Sequence, residues 1–234
     1  MLPISDNIPH RRSPYVNYTL IGTCVAVYLY QLLHPHLVGE LAYRPAYLLT
    51  SSGLALGASR LAAAALATMF LHGGLLHLGF NMWTLWIFGD NVEDRMGHWR
   101  YLVFYVLCGF AATLMHTLAA AWGLPRNAGV PMVGASGAIA GVLGAYFKLF
   151  PRATIRTLVI LVFLWIPLDL PAVVFIGLWF VLQLLSGLGS LAGGSSVAFW
   201  AHVGGFLAGL LLVGLFVARR RRPQPPRVTD IRWE

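Results

Sequence analysis

Charge is scarce in this chain: 10% of its 234 residues are Asp, Glu, Lys or Arg, 58% are hydrophobic, and the mean hydropathy is +0.72. Soluble domains carry about a quarter charged residues, so a water-facing globule is excluded and lipid must be the solvent. Acidic residues are the scarcest, eight against sixteen basic ones. The resulting formal charge of +8 does not point to a nucleic-acid partner, because the basic residues fall in short stretches between hydrophobic runs, where they set topology. Cysteine is limited to Cys24 and Cys108, both inside apolar runs, where a disulfide framework or a thiolate metal site is not expected. No internal repeat of useful length is present, and no carboxylate falls in the outer half of any predicted span, so the usual marks of a secondary transporter are missing.

What the chain has in quantity is long apolar runs. Spans are predicted at Tyr15–Leu33, Leu66–Phe88, Tyr101–Trp122, Gly134–Phe150, Pro171–Leu191 and Val197–Val217, several of them long enough to cross roughly 30 Å of hydrocarbon at about 1.5 Å per residue. The fold class expected is an all-α membrane protein, one bundle of six crossings over residues 15–218. It is preceded by a polar cytoplasmic segment, 1–14, and followed by a basic, Pro-containing cytoplasmic tail, 219–234. The first run follows polar and Pro-containing sequence and lacks an Ala-x-Ala exit, so it is expected to remain in the mature protein. With the amino terminus inside, Arg11, Arg12, Arg95, Arg100, Lys148, Arg152, Arg156 and all tail arginines lie inside. Only Arg44, Arg60 and Arg126 lie outside, which fixes the orientation. Residues 157–170 are too short to span: the core Leu158–Ile166 would rise about 14 Å as a helix before Pro167, so this piece is expected to be interfacial or re-entrant. The stretch His34–Ala65 is Leu-, Ala- and Tyr-rich and suits the outer interface, while the arginine tail is expected to be disordered and to touch anionic lipid headgroups at most.

Polar side chains inside apolar spans are costly and mark candidate sites. Ser136, in Gly134-Ala135-Ser136-Gly137, opens the fourth span near its outer end, where free backbone N–H groups favour negative charge. Gly and Ser are also common wherever transmembrane helices pack closely, so this tetrapeptide alone reads as packing. His202 lies about one turn into the last span, at a matching depth. Gly137 and Gly141 on one helix face Gly205 and Gly209 on the other, small residues that let two backbones come close enough for a Ser–His hydrogen bond and nucleophilic catalysis. His77 and Asn81, spaced i and i+4, can both offer N–H donors to one acceptor, which is what an oxyanion hole requires. His72 stands five residues before His77, off that face and without the Glu of a zincin, so no metal is expected. The acids and Arg95 in 91–97 are placed in the first inner loop, fixing a turn and capping helices on the far side of the bilayer. Trp83, Trp86, Trp179 and the remaining histidines read as packing or interface anchors.

The runs His72-x4-His77-x3-Asn81, Glu93-Asp94-Arg95-x-Gly97, Gly134-x-Ser136-Gly137 and Ala201-His202-x2-Gly205-x3-Gly209 resemble, in order and place, the rhomboid family of intramembrane serine proteases. The likeness covers most of the chain, from the first helix to Val217. It implies a six-helix core and a serine-type endopeptidase with a Ser136–His202 dyad. His77, Asn81 and the Ser136 N–H would form the oxyanion hole, with His72, Gly134, Gly137, Gly205 and Gly209 supporting the site. It implies no cofactor, a lateral entrance, and as partners single-span membrane proteins whose helix unwinds near a small residue; a bacterial inner membrane is the implied location. Ala140 departs from the family habit of an aromatic ring four residues after the serine that supports the histidine, so another group must orient His202. Two other readings stand beside this one. A non-cutting rhomboid-like binder would typically lack the serine or histidine, both present here, and a channel lined by His72, His77 and His202 would lack repeat symmetry.

Overall fold

Backbone groups in lipid must find their hydrogen bonds within the protein, so the long proline-free apolar runs become helices. The computed structural model describes residues 1–9, 11–123, 128–161, 164–193 and 198–217. After a short strand β1 (Leu2–Asp6) come α1 (Tyr15–Leu33), four outer helical pieces, α2 (Leu37–Leu41), α3 (Ala46–Leu49), α4 (Ser51–Leu54) and α5 (Ala58–Thr68), and then α6 (Leu75–Met96), α7 (His98–Trp122) and α8 (Ser136–Leu149). A hairpin of β2 (Thr154–Leu161) and β3 (Leu164–Pro171) leads to α9 (Ala172–Gly193) and α10 (Phe199–Phe216). Four of the described helices, α1, α7, α9 and α10, are long and apolar enough to cross a membrane. The 14-residue α8 is apolar but shorter, and α6 carries Asp90, Glu93, Asp94 and Arg95 at its C-terminal end.

Three expectations are corrected. The fold is mostly, but not wholly, α-helical: β2 and β3, which fall on the segment expected to be interfacial or re-entrant, pair as antiparallel strands, and β1 adds to them in the order β1-β2-β3. β-branched residues at Thr154, Ile155, Thr157, Val159 and Ile160 favour the extended form. Ile155 and Thr157 are buried, whereas Arg156 between them is exposed and faces Asp169 of β3 at 3.2 Å, so the register is set by alternation. The strands return to where they left: the Ala172 N–H donates to the Ala153 carbonyl at 2.7 Å, fastening the first turn of α9 to the segment between α8 and β2. The second correction concerns the span predicted at 66–88, which is broken. Helix α5 ends at Thr68, and α6 starts only at Leu75, after Gly73-Gly74, a pair that costs helix about 1 kcal/mol per residue.

The third correction is that residues 91–96 are not a loop but the last turns of α6, closed by Gly97 at φ +83°. Glu93, 1% exposed, accepts from the backbone N–H groups of Val16 at 3.1 Å and Asn17 at 2.7 Å, and contacts His98 Nδ1. It thus caps α1 from another helix, satisfying donors that no intrahelical acceptor reaches. Asn17 continues this tie: its Nδ2 donates to the Leu85 carbonyl at 3.0 Å and its Oδ1 accepts from the Tyr101 hydroxyl at 2.8 Å, joining α1, α6 and α7. Glu93→Ala is expected to lower stability by about 2 kcal/mol by leaving two buried donors unpaired; thermal unfolding in detergent measures it.

Helix α8 is the centre, with every residue from Gly137 to Tyr146 buried. α10 runs beside it in the same direction, its backbone in contact with that of α8. A Cβ on Gly205 would lie 1.9 Å from the Gly137 carbonyl oxygen, and one on Gly209 would lie 2.0 Å from that of Gly141. The tail beyond 217, including the proposed lipid-touching arginines, lies outside the described residues.

Candidate active site

The constant offset of these contacts, 137 to 205 and 141 to 209, also brings the first residue of α8 beside the first turn of α10. Ser136 Oγ lies 2.8 Å from His202 Nε2. As the first residue of α8, Ser136 has a backbone N–H with no intrahelical acceptor, at the positive end of the helix dipole.

The chain leading into Ser136 is held from outside. The Thr68 carbonyl accepts from the Gly134 N–H at 3.0 Å, its hydroxyl donates to the Met132 carbonyl at 3.0 Å, and the Met132 N–H donates to the Tyr43 carbonyl at 2.8 Å. Gly134 adopts φ +118°, a conformation open chiefly to glycine. A Cβ there would lie 2.7 Å from the His77 ring and 3.6 Å from Asn81 Nδ2, so the bare glycine is what lets these two side chains approach the backbone next to Ser136.

Ser136, His202, His77 and Asn81 line one cavity of about 430 Å³. The buried Asn81 Nδ2 has no hydrogen-bond partner among the described residues. An unpaired donor is costly to bury, and Asn81 lines the same cavity as Ser136. His72 does not line the cavity. It stands behind His77, edge to face at 5.4 Å between centroids, and is clamped by Gln31, whose side-chain amide exchanges two 3.0 Å bonds with the His72 backbone. The glycines at 137, 205 and 209 are not among the residues that line it; they set the spacing of α8 and α10.

Two residues of α9 belong to this site although sequence reasoning passed them over. His202 Nδ1 lies 2.7 Å from Gln183 Oε1, and the Trp179 ring lies 6.1 Å from the imidazole. Trp179, read from sequence as packing, lines the cavity. A signal was present: Gln183 is an amide in the middle of an apolar run, one turn after an aromatic residue.

The cavity does not end at the dyad. A second one of about 260 Å³ shares Phe80, Thr84, Leu143 and Trp179 with it and continues between α6 and α9 to Leu2 and Pro3 of β1. There the Trp83 indole N–H donates to the Pro3 carbonyl at 2.6 Å. Such an arrangement can receive an extended peptide beside a paired hydroxyl and imidazole.

Residues 62–219 match the family described as Rhomboid domain. The chain is similar to RHOMBOID-like protein 4 of Arabidopsis thaliana, 33% identical over 148 residues, 63% of this chain and 32% of that protein. It is similar to Rhomboid-type serine protease 2 of Emericella nidulans, 32% identical over 152 residues, 64% of this chain and 26% of that protein. It is also similar to Rhomboid protease GlpG of Yersinia enterocolitica, 31% identical over 143 residues, 61% of this chain and 44% of that protein. The chain thus matches less than half the length of each.

Proposed function

The chain belongs to the rhomboid family, a family of multi-pass membrane proteins that includes serine proteases, and on that premise we propose that it is an intramembrane serine endopeptidase. Its substrates are other proteins' transmembrane segments. The observation that carries this reading is the 2.8 Å approach of Ser136 Oγ to His202 Nε2 in a cavity that also holds an unpaired Asn81 amide. In the proposed topology α1, α6, α7, α8, α9 and α10 all cross the membrane, α6 and α8 being sheltered by their neighbours. The dyad lies toward the outer face and the basic loops in the cytoplasm of a bacterial inner membrane.

The chemistry follows from the atoms. Nε2 of neutral His202 takes the hydroxyl proton as Oγ bonds to the peptide carbonyl carbon, and the carbonyl oxygen becomes an oxyanion. His77, Asn81 Nδ2 and the Ser136 N–H stabilise that charge. On collapse the C–N bond breaks and the imidazolium proton goes to the leaving amine. A water then gives a proton to Nε2 and its hydroxyl to the acyl carbon, and the Oγ–C bond breaks as Nε2 passes that proton to Oγ, restoring Ser136 and the neutral imidazole. No cofactor takes part.

The test is incubation of the purified protein with a panel of single-span substrates, alongside labelling with a fluorophosphonate. Cleavage with label on Ser136 supports the reading; capture of substrate without label or cleavage favours a binder, and ion flux that survives loss of Ser136 favours a channel. Asn81→Ala is expected to lower kcat by about 10²-fold with KM little changed, because the lost donor acts chiefly on the developing charge. Initial rates across substrate concentrations measure it.

A further inference from the structure

A histidine serves as base toward Ser136 only if Nε2 is the unprotonated nitrogen, so something must hold the proton on Nδ1. Serine hydrolases commonly use a carboxylate for this; here no Asp or Glu among the described residues lines the cavity. The titratable side chains that bear on His202 electrostatically are His77 on α6 and His116 on α7, neither of them an acid. The group that does face Nδ1 is the Gln183 side-chain oxygen at 2.7 Å. A carbonyl oxygen can only accept, so this contact requires Nδ1 to carry the proton and leaves the Nε2 lone pair toward the 2.8 Å contact with Ser136. One turn earlier on the same helix, Trp179 sets its ring beside the imidazole, 6.1 Å between centroids. We infer that Gln183 is the positioning residue of the dyad, fixing the Nδ1–H tautomer of His202 as a neutral replacement for the acid of a triad. The inference rests on the proteolytic reading above for its kinetic consequence, but not for the tautomer itself.

The experiment uses the full chain in detergent or bicelles with three versions at position 183. Gln183→Leu keeps the volume and removes the acceptor: kcat is expected to fall about 10²-fold with KM unchanged, as the imidazole samples the wrong tautomer. Gln183→Glu keeps the acceptor and adds a negative charge. It is expected to retain most activity near neutral pH, but to move the acid limb of the kcat profile up by about one pH unit or more, because the carboxylate favours the imidazolium and the base must be neutral to act. A residue that merely packs would move neither limb. In parallel, nitrogen-15 spectra of labelled histidine, assigned with a His202→Ala sample, should show His202 protonated at Nδ1 in the parent chain and a mixture of tautomers in Gln183→Leu. A folded Gln183→Leu protein with the parent kcat overturns the inference, as does an unmoved acid limb in Gln183→Glu. Should the parent chain neither cleave nor label, the protease reading fails by itself. The nitrogen-15 tautomer then decides the role of Gln183, with Nε2–H in the parent chain overturning it.

Discussion

Ser136→Ala is expected to reduce cleavage of a single-span substrate by about 10⁴-fold or more, to the background of the assay. Loss of a nucleophile leaves only the oxyanion donors and substrate binding, which cannot substitute for the covalent step. The same reasoning predicts non-additivity: with Ser136→Ala in place, adding His202→Ala costs little further, because base and nucleophile act as one unit. The fold should survive. The serine side chain's only described bond is to His202, so unfolding should shift by about 1 kcal/mol or less. Cleavage in proteoliposomes, fluorophosphonate labelling and a thermal melt on one preparation measure all three. Undiminished cutting by the alanine variant would end the mechanism.

The second large effect comes from one methyl group far from the chemistry. Gly209→Ala places a Cβ at 2.0 Å from the Gly141 carbonyl oxygen and 2.6 Å from its carbon, and these are backbone atoms that no rotamer change can move aside. α10 must back away from α8. Overpacking of this kind costs up to about 3 kcal/mol. The displacement also separates His202 from Ser136, and a misplacement of about 1 Å in a reacting pair lowers rate by roughly 10²-fold. Gly214, on the same helix with nothing within 4 Å of where a methyl would sit, is the control, and Gly214→Ala should be neutral or slightly stabilising. If the two variants melt and cut alike, close backbone contact is not what holds α10 in place.

These glycines explain why so much of the site was legible in the sequence. Their spacing on two apolar runs requires two backbones in register, and that register by itself brings together a serine and a histidine at matching depth. Other parts depend on information that a local pattern does not carry. In residues 154–171, hydropathy and Pro167 speak only to burial and helix length. Their β-branched residues point to strands, but pairing with β1, some 150 positions earlier, is non-local and leaves no periodic trace. The break before α6 is present as Gly73-Gly74 but is masked by the apolar residues on either side. Gln183 is a single amide with no motif around it. Its meaning arises only once α9 lies against the first turn of α10.

α9 is fastened on both sides of Gln183. Its first turn is tied to the segment between α8 and β2, the Ala172 N–H donating to the Ala153 carbonyl, and Ala172 and Ile176 are fully buried. Beyond Gln183, the Trp200 indole N–H of α10 donates to the Gly187 carbonyl at 3.1 Å, while Leu178, Val181, Leu182, Leu185 and Leu188 face outward. Mechanically this is a beam held at two points with Gln183 between them, which limits bending where its side-chain oxygen meets His202 Nδ1 at 2.7 Å. The helix that carries the imidazole also carries one of the two supports, so acceptor and ring are referred to the same piece of backbone.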